Sequence, residues 1–230
     1  MATAAAPRPD TWRVVAWVAF IGAISALNYA SRFEGETTPN DVAYRYSTSV
    51  ALVVQYAAFL GVVLLIALHL RKRDVFALRR PVSWGRGLSS IGIGLGATWA
   101  TAFVYTLALS VVTDLTPTDE QGLVPTQWDP HRAGAFVLFF LGVTIVGPVV
   151  EELMFRGLGI SLFLARGKWP AIVITGLFFG LYHGLLLALP ILAAFGIVLG
   201  WVRVRTDSIY PGIALHAAFN GVALIVAVVG

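Results

Sequence analysis

The sequence predicts an all-α membrane protein, a polytopic bundle of about seven transmembrane helices. Of its 230 residues, 58% are hydrophobic and only 12% are charged. The mean hydropathy is +0.81. Soluble domains carry roughly 25% charged and 45–50% apolar residues, so this composition is typical of a chain that lies mostly in lipid. Apolar runs of spanning length repeat along the chain, which makes the protein polytopic.

Seven apolar runs account for the predicted helices, because about 20 residues are needed to cross the hydrocarbon core. They occupy residues 14–30, 47–70, 88–112, 133–165, 170–188, 190–204 and 209–229. The sixth run is short, and Pro190 could join its start to the end of the fifth, which would lower the count by one.

Basic residues set the predicted orientation. They concentrate in alternate connections, at residues 71–86, 166–168 and 203–205, whereas the intervening connections carry acids such as Asp41, Asp114 and Asp129. The positive-inside rule then places the N-terminus in the cytoplasm and the C-terminus outside. We expect an integral protein of a prokaryotic plasma membrane. The net charge of +4 fits loops beside anionic lipid, and we expect no nucleic-acid partner.

Three ionisable side chains interrupt the fourth run, which otherwise carries none: Glu151, Glu152 and Arg156. Each charge at a helix centre costs about 2.5 to 3.5 kcal/mol on insertion scales, so these groups must face protein or water. Glu152 and Arg156 are four residues apart and share a helix face, whereas Glu151 lies about 100 degrees away. We predict one paired glutamate and one free glutamate. The alternative is a structural charge cluster that pins helices together.

Two further polar pairs recur at helical spacing in the last third of the chain. Phe179 and His183 are four residues apart, as are His216 and Asn220, so each pair projects from one helix face. A single buried histidine is often only a core residue. Together with Glu151, however, these groups make up a site inside the bundle that can activate water and stabilise an oxyanion.

The order of these motifs is similar to that of a known family. Glu-Glu-x-x-x-Arg at 151–156, Phe-x-x-x-His at 179–183 and His-x-x-x-Asn at 216–220 resemble the CPBP family of CAAX proteases and bacteriocin-processing enzymes, also called Abi-like. The likeness covers residues 133–230, which we expect to form a catalytic core of about four helices. Residues 1–132 would form an N-terminal transmembrane region of three helices, which match the family only in being hydrophobic.

The resemblance implies an intramembrane endopeptidase and assigns a role to each polar residue. Glu151 and His183 would activate a water, His216 and Asn220 would bind the oxyanion, Glu152 and Arg156 would form a structural pair, and Phe179 would pack beside the site. No cofactor is favoured, because a carboxylate and an imidazole can activate water without metal. Zinc stays open as an alternative, with Glu151, His183 and His216 as its three ligands.

Other functions remain as alternatives. The chain has no cysteine, no Gly-x-Ser-Gly and no Gly-x-Gly-Asp, which sets aside other classes of intramembrane protease. Buried glutamate and histidine also occur in proton-coupled transporters, but no inverted repeat is evident. A third alternative is a catalytically silent membrane scaffold or immunity protein. The expected partners are the bilayer and a membrane-associated protein or peptide substrate, for which prenylation should not be assumed.

Overall fold

The computed structural model describes residues 11–33, 41–117 and 127–229, and every regular element within these ranges is helical. Seven helices dominate, in the order α1 Thr11–Phe33, α2 Tyr46–Ile66, α3 Trp84–Leu109, α4 Pro130–Arg166, α5 Lys168–Tyr182, α6 Leu189–Thr206 and α7 Tyr210–Val229. All of them except α5 are long and apolar enough to cross a membrane. The predicted class, a polytopic helical bundle, is confirmed.

The fifth helix is shorter than predicted. It ends at Tyr182, not at residue 188, because Gly184 turns the chain with a positive φ of 65°. Asn28 of α1 packs against this turn and donates a hydrogen bond of 2.6 Å to the Tyr182 carbonyl oxygen. Pro190 then lies in the first turn of α6. A backbone N–H at this position would have no acceptor within the helix, so proline is tolerated there. The two apolar runs are therefore separate helices, and the short one is the fifth, with 15 residues.

Close contact between α5 and α6 depends on glycine. Each helix carries two glycines four residues apart, Gly176 and Gly180 on α5 and Gly196 and Gly200 on α6. A Cβ atom at Gly196 would lie 2.6 Å from the carbonyl oxygen of Gly176. Small residues at this spacing let the backbones of membrane helices approach closely. This pairing fixes α5, which carries His183 at its end, against the rest of the bundle.

A network of hydrogen bonds joins the basic connections at one end of the bundle. Arg79 Nη2 lies 2.6 Å from Asp207 Oδ1, and Arg203 Nη1 lies 3.3 Å from the same oxygen. The Val82 N–H donates to the Thr206 carbonyl oxygen at 3.0 Å. Partial burial raises the pKa of Asp207, but the arginines outweigh it and hold this pKa below its usual range. The connection after α2 is thereby fixed to the turn between α6 and α7.

The opposite end of the bundle contains a second charged network. Arg132, at the start of α4, lies 2.6 Å from Asp129 and 3.2 Å from Asp41. Tyr44 stacks on Phe136 with ring centroids 5.5 Å apart. These contacts join the beginning of α2 to that of α4, so the connections that the sequence analysis assigned to opposite sides do lie at opposite ends.

We predict that Gly196→Ala destabilises the protein by about 1 to 3 kcal/mol, because the added methyl would meet backbone atoms of α5 that cannot rotate away. Thermal unfolding in detergent measures the effect. Gly92→Ala is the matched control, since a Cβ at this glycine of α3 has no atom within 4 Å. Equal unfolding temperatures for the two variants would contradict the assigned helix contact.

Candidate active site

Helix α4 is irregular where it carries the two glutamates. Two π-helical segments, Gly142–Val146 and Leu153–Gly159, flank a six-residue α-helical segment, Gly147–Glu152. Each π-helical turn shifts the side chains that follow it around the helix axis. Such segments occur frequently at functional sites. The two carboxylates therefore project from a part of α4 whose local geometry differs from that of a regular α-helix.

The proline at position 148 explains why a side chain of α7 donates a hydrogen bond to the backbone of this irregular helix. The Gly147 N–H donates to the Gly142 carbonyl oxygen, five residues back. In this register the next donor would be residue 148, which is proline and has no N–H, so the Val143 carbonyl oxygen loses its partner. Asn220 Nδ2 of α7 donates to that oxygen at 3.0 Å. The Asn220 amide is therefore held against the first π-helical segment of α4, with one N–H used by the backbone.

Glu152 is the centre of a buried charge cluster. Arg156 Nη1 lies 3.1 Å from Glu152 Oε1, and both side chains have no exposed surface. His216 Nδ1 lies 3.2 Å from the same oxygen. Because an ionised carboxylate only accepts hydrogen bonds, Nδ1 of His216 carries the proton. The spacing rule predicted the pair of Glu152 and Arg156, and the structure adds His216 to it.

The Arg156 guanidinium also contacts groups on two other helices. Its Nη2 donates to the Gly196 carbonyl oxygen at 2.9 Å, and its carbon lies 4.3 Å from the centre of the Phe179 ring. The Nε and Nη1 atoms make no aligned hydrogen bond, so the contact with Glu152 is an ion pair without good hydrogen-bond geometry. Contacts from α5 and α6 thus surround the cation with a carbonyl and an aromatic face.

Glu151 has partners on other helices, although the sequence analysis predicted it to be free. The Tyr56 hydroxyl of α2 donates to Glu151 Oε1 at 2.5 Å. His216 Nε2 lies 3.7 Å from Glu151 Oε2. This second distance exceeds hydrogen-bond length, so Oε2 keeps lone pairs for a water beside the imidazole. The prediction of a free glutamate was correct for helix α4 alone and wrong for the folded protein.

His183 follows directly after α5 and is half-buried. Its Nδ1 lies 2.7 Å from the Phe179 carbonyl oxygen, so Nδ1 carries a proton and a neutral ring accepts at Nε2. The Phe179 ring contacts both imidazoles, with centroid distances of 4.7 Å to His183 and 5.5 Å to His216. Phe179 therefore packs beside the site, as the resemblance implied.

The structure brings most of the predicted residues into one connected cluster. Direct contacts join Glu151, Glu152, Arg156, Phe179, His183 and His216, while Asn220 contacts the backbone of α4 about two turns before Glu151. Sequence reasoning missed Tyr56. A tyrosine in an apolar helix resembles the aromatic residues that are common in membrane helices. The one feature that could have marked it as functional was the position of its hydroxyl near the middle of a predicted span, far from either membrane surface.

No group of three histidine, aspartate or glutamate side chains forms a metal-ligand set in the part of the chain that the structure describes. Glu151, His183 and His216, the three candidate ligands, therefore do not form such a set, and zinc is not supported.

We predict that the two adjacent glutamates differ in their effect on stability. Glu152→Gln should destabilise the fold by about 3 to 5 kcal/mol, because it leaves the buried Arg156 without its counter-charge. Arg156→Leu should likewise lower the folded yield. Glu151→Gln should fold normally, since an amide oxygen still accepts from Tyr56. Thermal unfolding in detergent compares the variants, and equal losses from Glu151→Gln and Glu152→Gln would show that this division of roles is wrong.

Comparison with known proteins adds one finding. Residues 133–222 match the family model of the Rce1-like type II CAAX prenyl endopeptidases. No curated protein and no solved structure matches the chain. The match includes all the predicted site residues from Glu151 to Asn220, whereas Tyr56 lies outside it. It confirms the family that the three motifs indicated. Residues 133–222 are therefore similar to the Rce1-like type II CAAX prenyl endopeptidases, which supports an intramembrane CAAX-type endopeptidase in general.

Proposed function

We propose that the protein hydrolyses a peptide bond of a membrane-associated protein or peptide, with water activated by Glu151 and His183. The observation that carries this proposal is the position of Glu151. One of its oxygens is held by Tyr56, and the other faces His216 Nε2 at 3.7 Å, a separation that leaves it able to accept a hydrogen bond from water. A carboxylate held in this way has the features of a general base.

The reaction can be written with these residues alone. Glu151 removes a proton from water while His183, which accepts at Nε2, orients the same water. The water oxygen attacks the scissile carbonyl carbon, whose oxygen becomes an oxyanion. When the C–N bond breaks, the proton held by Glu151 passes to the leaving amine nitrogen. The first products are a carboxylic acid and a neutral amine, and transfer of the acid's proton to the amine gives a carboxylate and a protonated amino terminus, so atoms and charges balance.

His216 and Asn220 would stabilise the oxyanion. Because His216 Nδ1 donates to Glu152, its Nε2 carries a hydrogen only when the ring is an imidazolium. Glu151, Glu152 and Arg156 together leave one negative charge, which an imidazolium at His216 would balance. The second N–H of the Asn220 amide, the one not given to Val143, would be the other donor.

The choice between a glutamate-type enzyme and a metalloprotease belongs to this proposal. We favour the glutamate type because a carboxylate and an imidazole can activate water without metal, and the described residues contain no group of three side chains placed to hold a metal ion. A proton-coupled transporter or a silent scaffold would also tolerate buried charges. Neither needs a carboxylate oxygen that faces an imidazole and can still accept a hydrogen bond from water, an arrangement that suits hydrolysis.

The orientation in the membrane is also proposed. The bundle end that holds Arg79, Arg203 and Asp207 also carries most of the basic residues, and the positive-inside rule places it in the cytoplasm. The N-terminus would then be cytoplasmic and the C-terminus outside. Within this proposal, residues 1–132 form an N-terminal region and residues 133–230 the catalytic core.

We predict that the purified protein cleaves a quenched-fluorescent peptide that ends in a farnesylated Cys-aliphatic-aliphatic-X sequence, or its unprenylated counterpart, and that Glu151→Gln abolishes cleavage of either. The family description names prenyl endopeptidases, which justifies the first peptide. Asp114→Asn, a carboxylate outside the site, is the control and should retain activity. Full activity of Glu151→Gln would exclude the proposed base.

We predict further that Asn220→Ala lowers kcat by about 100- to 1,000-fold with little change in KM, as expected for loss of an oxyanion donor. His216→Ala should behave similarly. Elemental analysis of the purified protein separates the two mechanisms. Stoichiometric zinc that disappears in His216→Ala would replace the oxyanion role of His216 with a metal-ligand role.

A further inference from the structure

The Tyr56 hydroxyl contacts the Glu151 carboxylate from a helix that lies outside the family match. Tyr56 belongs to α2, and the hydrogen bond to Glu151 joins residues that are 95 positions apart in the chain. The matched segment begins only at residue 133. The N-terminal region thus supplies a polar group to the site, which the sequence analysis did not foresee.

The structure contains a specific space for this hydroxyl. A Cβ atom at Gly147 would lie 2.8 Å from the Tyr56 hydroxyl oxygen, so only glycine lets the ring cross α4 one turn before Glu151. Phe59 and Tyr182 pack around it, with ring centroids 6.1 Å apart for Tyr56 and Phe59 and 6.2 Å apart for Phe59 and Tyr182.

The same helix offers a matched comparison. Tyr46, ten residues earlier on α2, places its hydroxyl 2.8 Å from where a Cβ at Gly134 would lie. Both tyrosines therefore cross a glycine of α4 in the same way. Only Tyr56 reaches a carboxylate, so the hydrogen bond to Glu151 is separate from the packing of α2 on α4.

We propose that Tyr56 is a positioning residue for hydrolysis, which fixes the Glu151 carboxylate through Oε1 and leaves Oε2 to receive the proton from water. This inference rests on the proposed function. A hydroxyl that donates to a carboxylate stabilises its ionised form, which is the form that acts as a base. It also prevents rotation of the carboxylate, so the second oxygen stays beside His216.

Other charged or titratable groups also surround Glu151. They come from every helix packed against it and are Tyr56 of α2, Glu152 and Arg156 of α4, Tyr182 and His183 at the end of α5, and His216 of α7. Substitution of Tyr56 by phenylalanine leaves all the others in place, which makes it the cleanest perturbation.

The first test measures turnover. With the farnesylated and unprenylated peptides described above, Tyr56→Phe should lower kcat about tenfold to a hundredfold, the value of a hydrogen bond to a charged group, and change KM by less than about threefold. Tyr46→Phe should match the wild type in both quantities.

The second test does not depend on activity. Infrared difference spectra follow the carboxylate stretching bands that are lost in Glu151→Gln, and Tyr56→Phe should shift these bands because one oxygen loses its hydrogen bond. Gly147→Ala, which displaces the Tyr56 hydroxyl, should shift them in the same direction, whereas Gly134→Ala should not. If neither peptide is cleaved but the bands shift, the proposed function fails and the hydrogen bond stands. Unshifted bands in both Tyr56→Phe and Gly147→Ala would overturn the positioning role.

Discussion

The contact between Glu152 and Arg156 is the constraint on which the rest of the structure depends. Two charges without exposed surface lie 3.1 Å apart in the middle of a membrane helix. Taking such charges out of water costs several kcal/mol each, and mutual attraction repays the cost only when further polar groups complete the site. His216 supplies a hydrogen bond to the anion, and the Gly196 carbonyl accepts one from the cation. The positions of α6 and α7 against α4 follow from these contacts.

Glycine makes these approaches possible. A Cβ at Gly212 of α7 would lie 2.7 Å from Glu152 Oε2, and one at Gly196 would lie 2.6 Å from the backbone of α5. Helix α4 shows the same pattern toward the N-terminal region, since Gly134 faces Tyr46 and Gly147 faces Tyr56. In lipid, where apolar surfaces gain little from contact with each other, such close backbone approach is the main source of helix association. The charge cluster and the glycine contacts therefore stabilise one another.

How much of this site the sequence predicted depends on how far apart in the chain the residues of each contact lie. The spacing of Glu152 and Arg156 predicted their contact, because a helix fixes residues four apart on one face. The spacing of His216 and Asn220 placed both on one face of α7, but their partners, Glu152 and Val143, lie in a distant part of the chain. Nothing local distinguishes Tyr56 from the other aromatics of an apolar helix. The end of α5 was missed because its apolar run continues past Gly184. The catalytic roles of these residues stay predictions.

The short fifth helix has a consequence for the surrounding lipid. Its 15 residues rise about 22 Å, whereas the hydrocarbon core of a typical bilayer is about 30 Å thick. The turn that begins at His183 therefore reaches only part of the way across, and lipid beside α5 must thin or leave room for water. Such hydrophobic mismatch costs fractions of a kcal/mol per Å, so bilayer thickness becomes a variable that acts directly on this turn. A thinner membrane brings the aqueous phase closer to the half-buried imidazole, where hydrolysis would consume water.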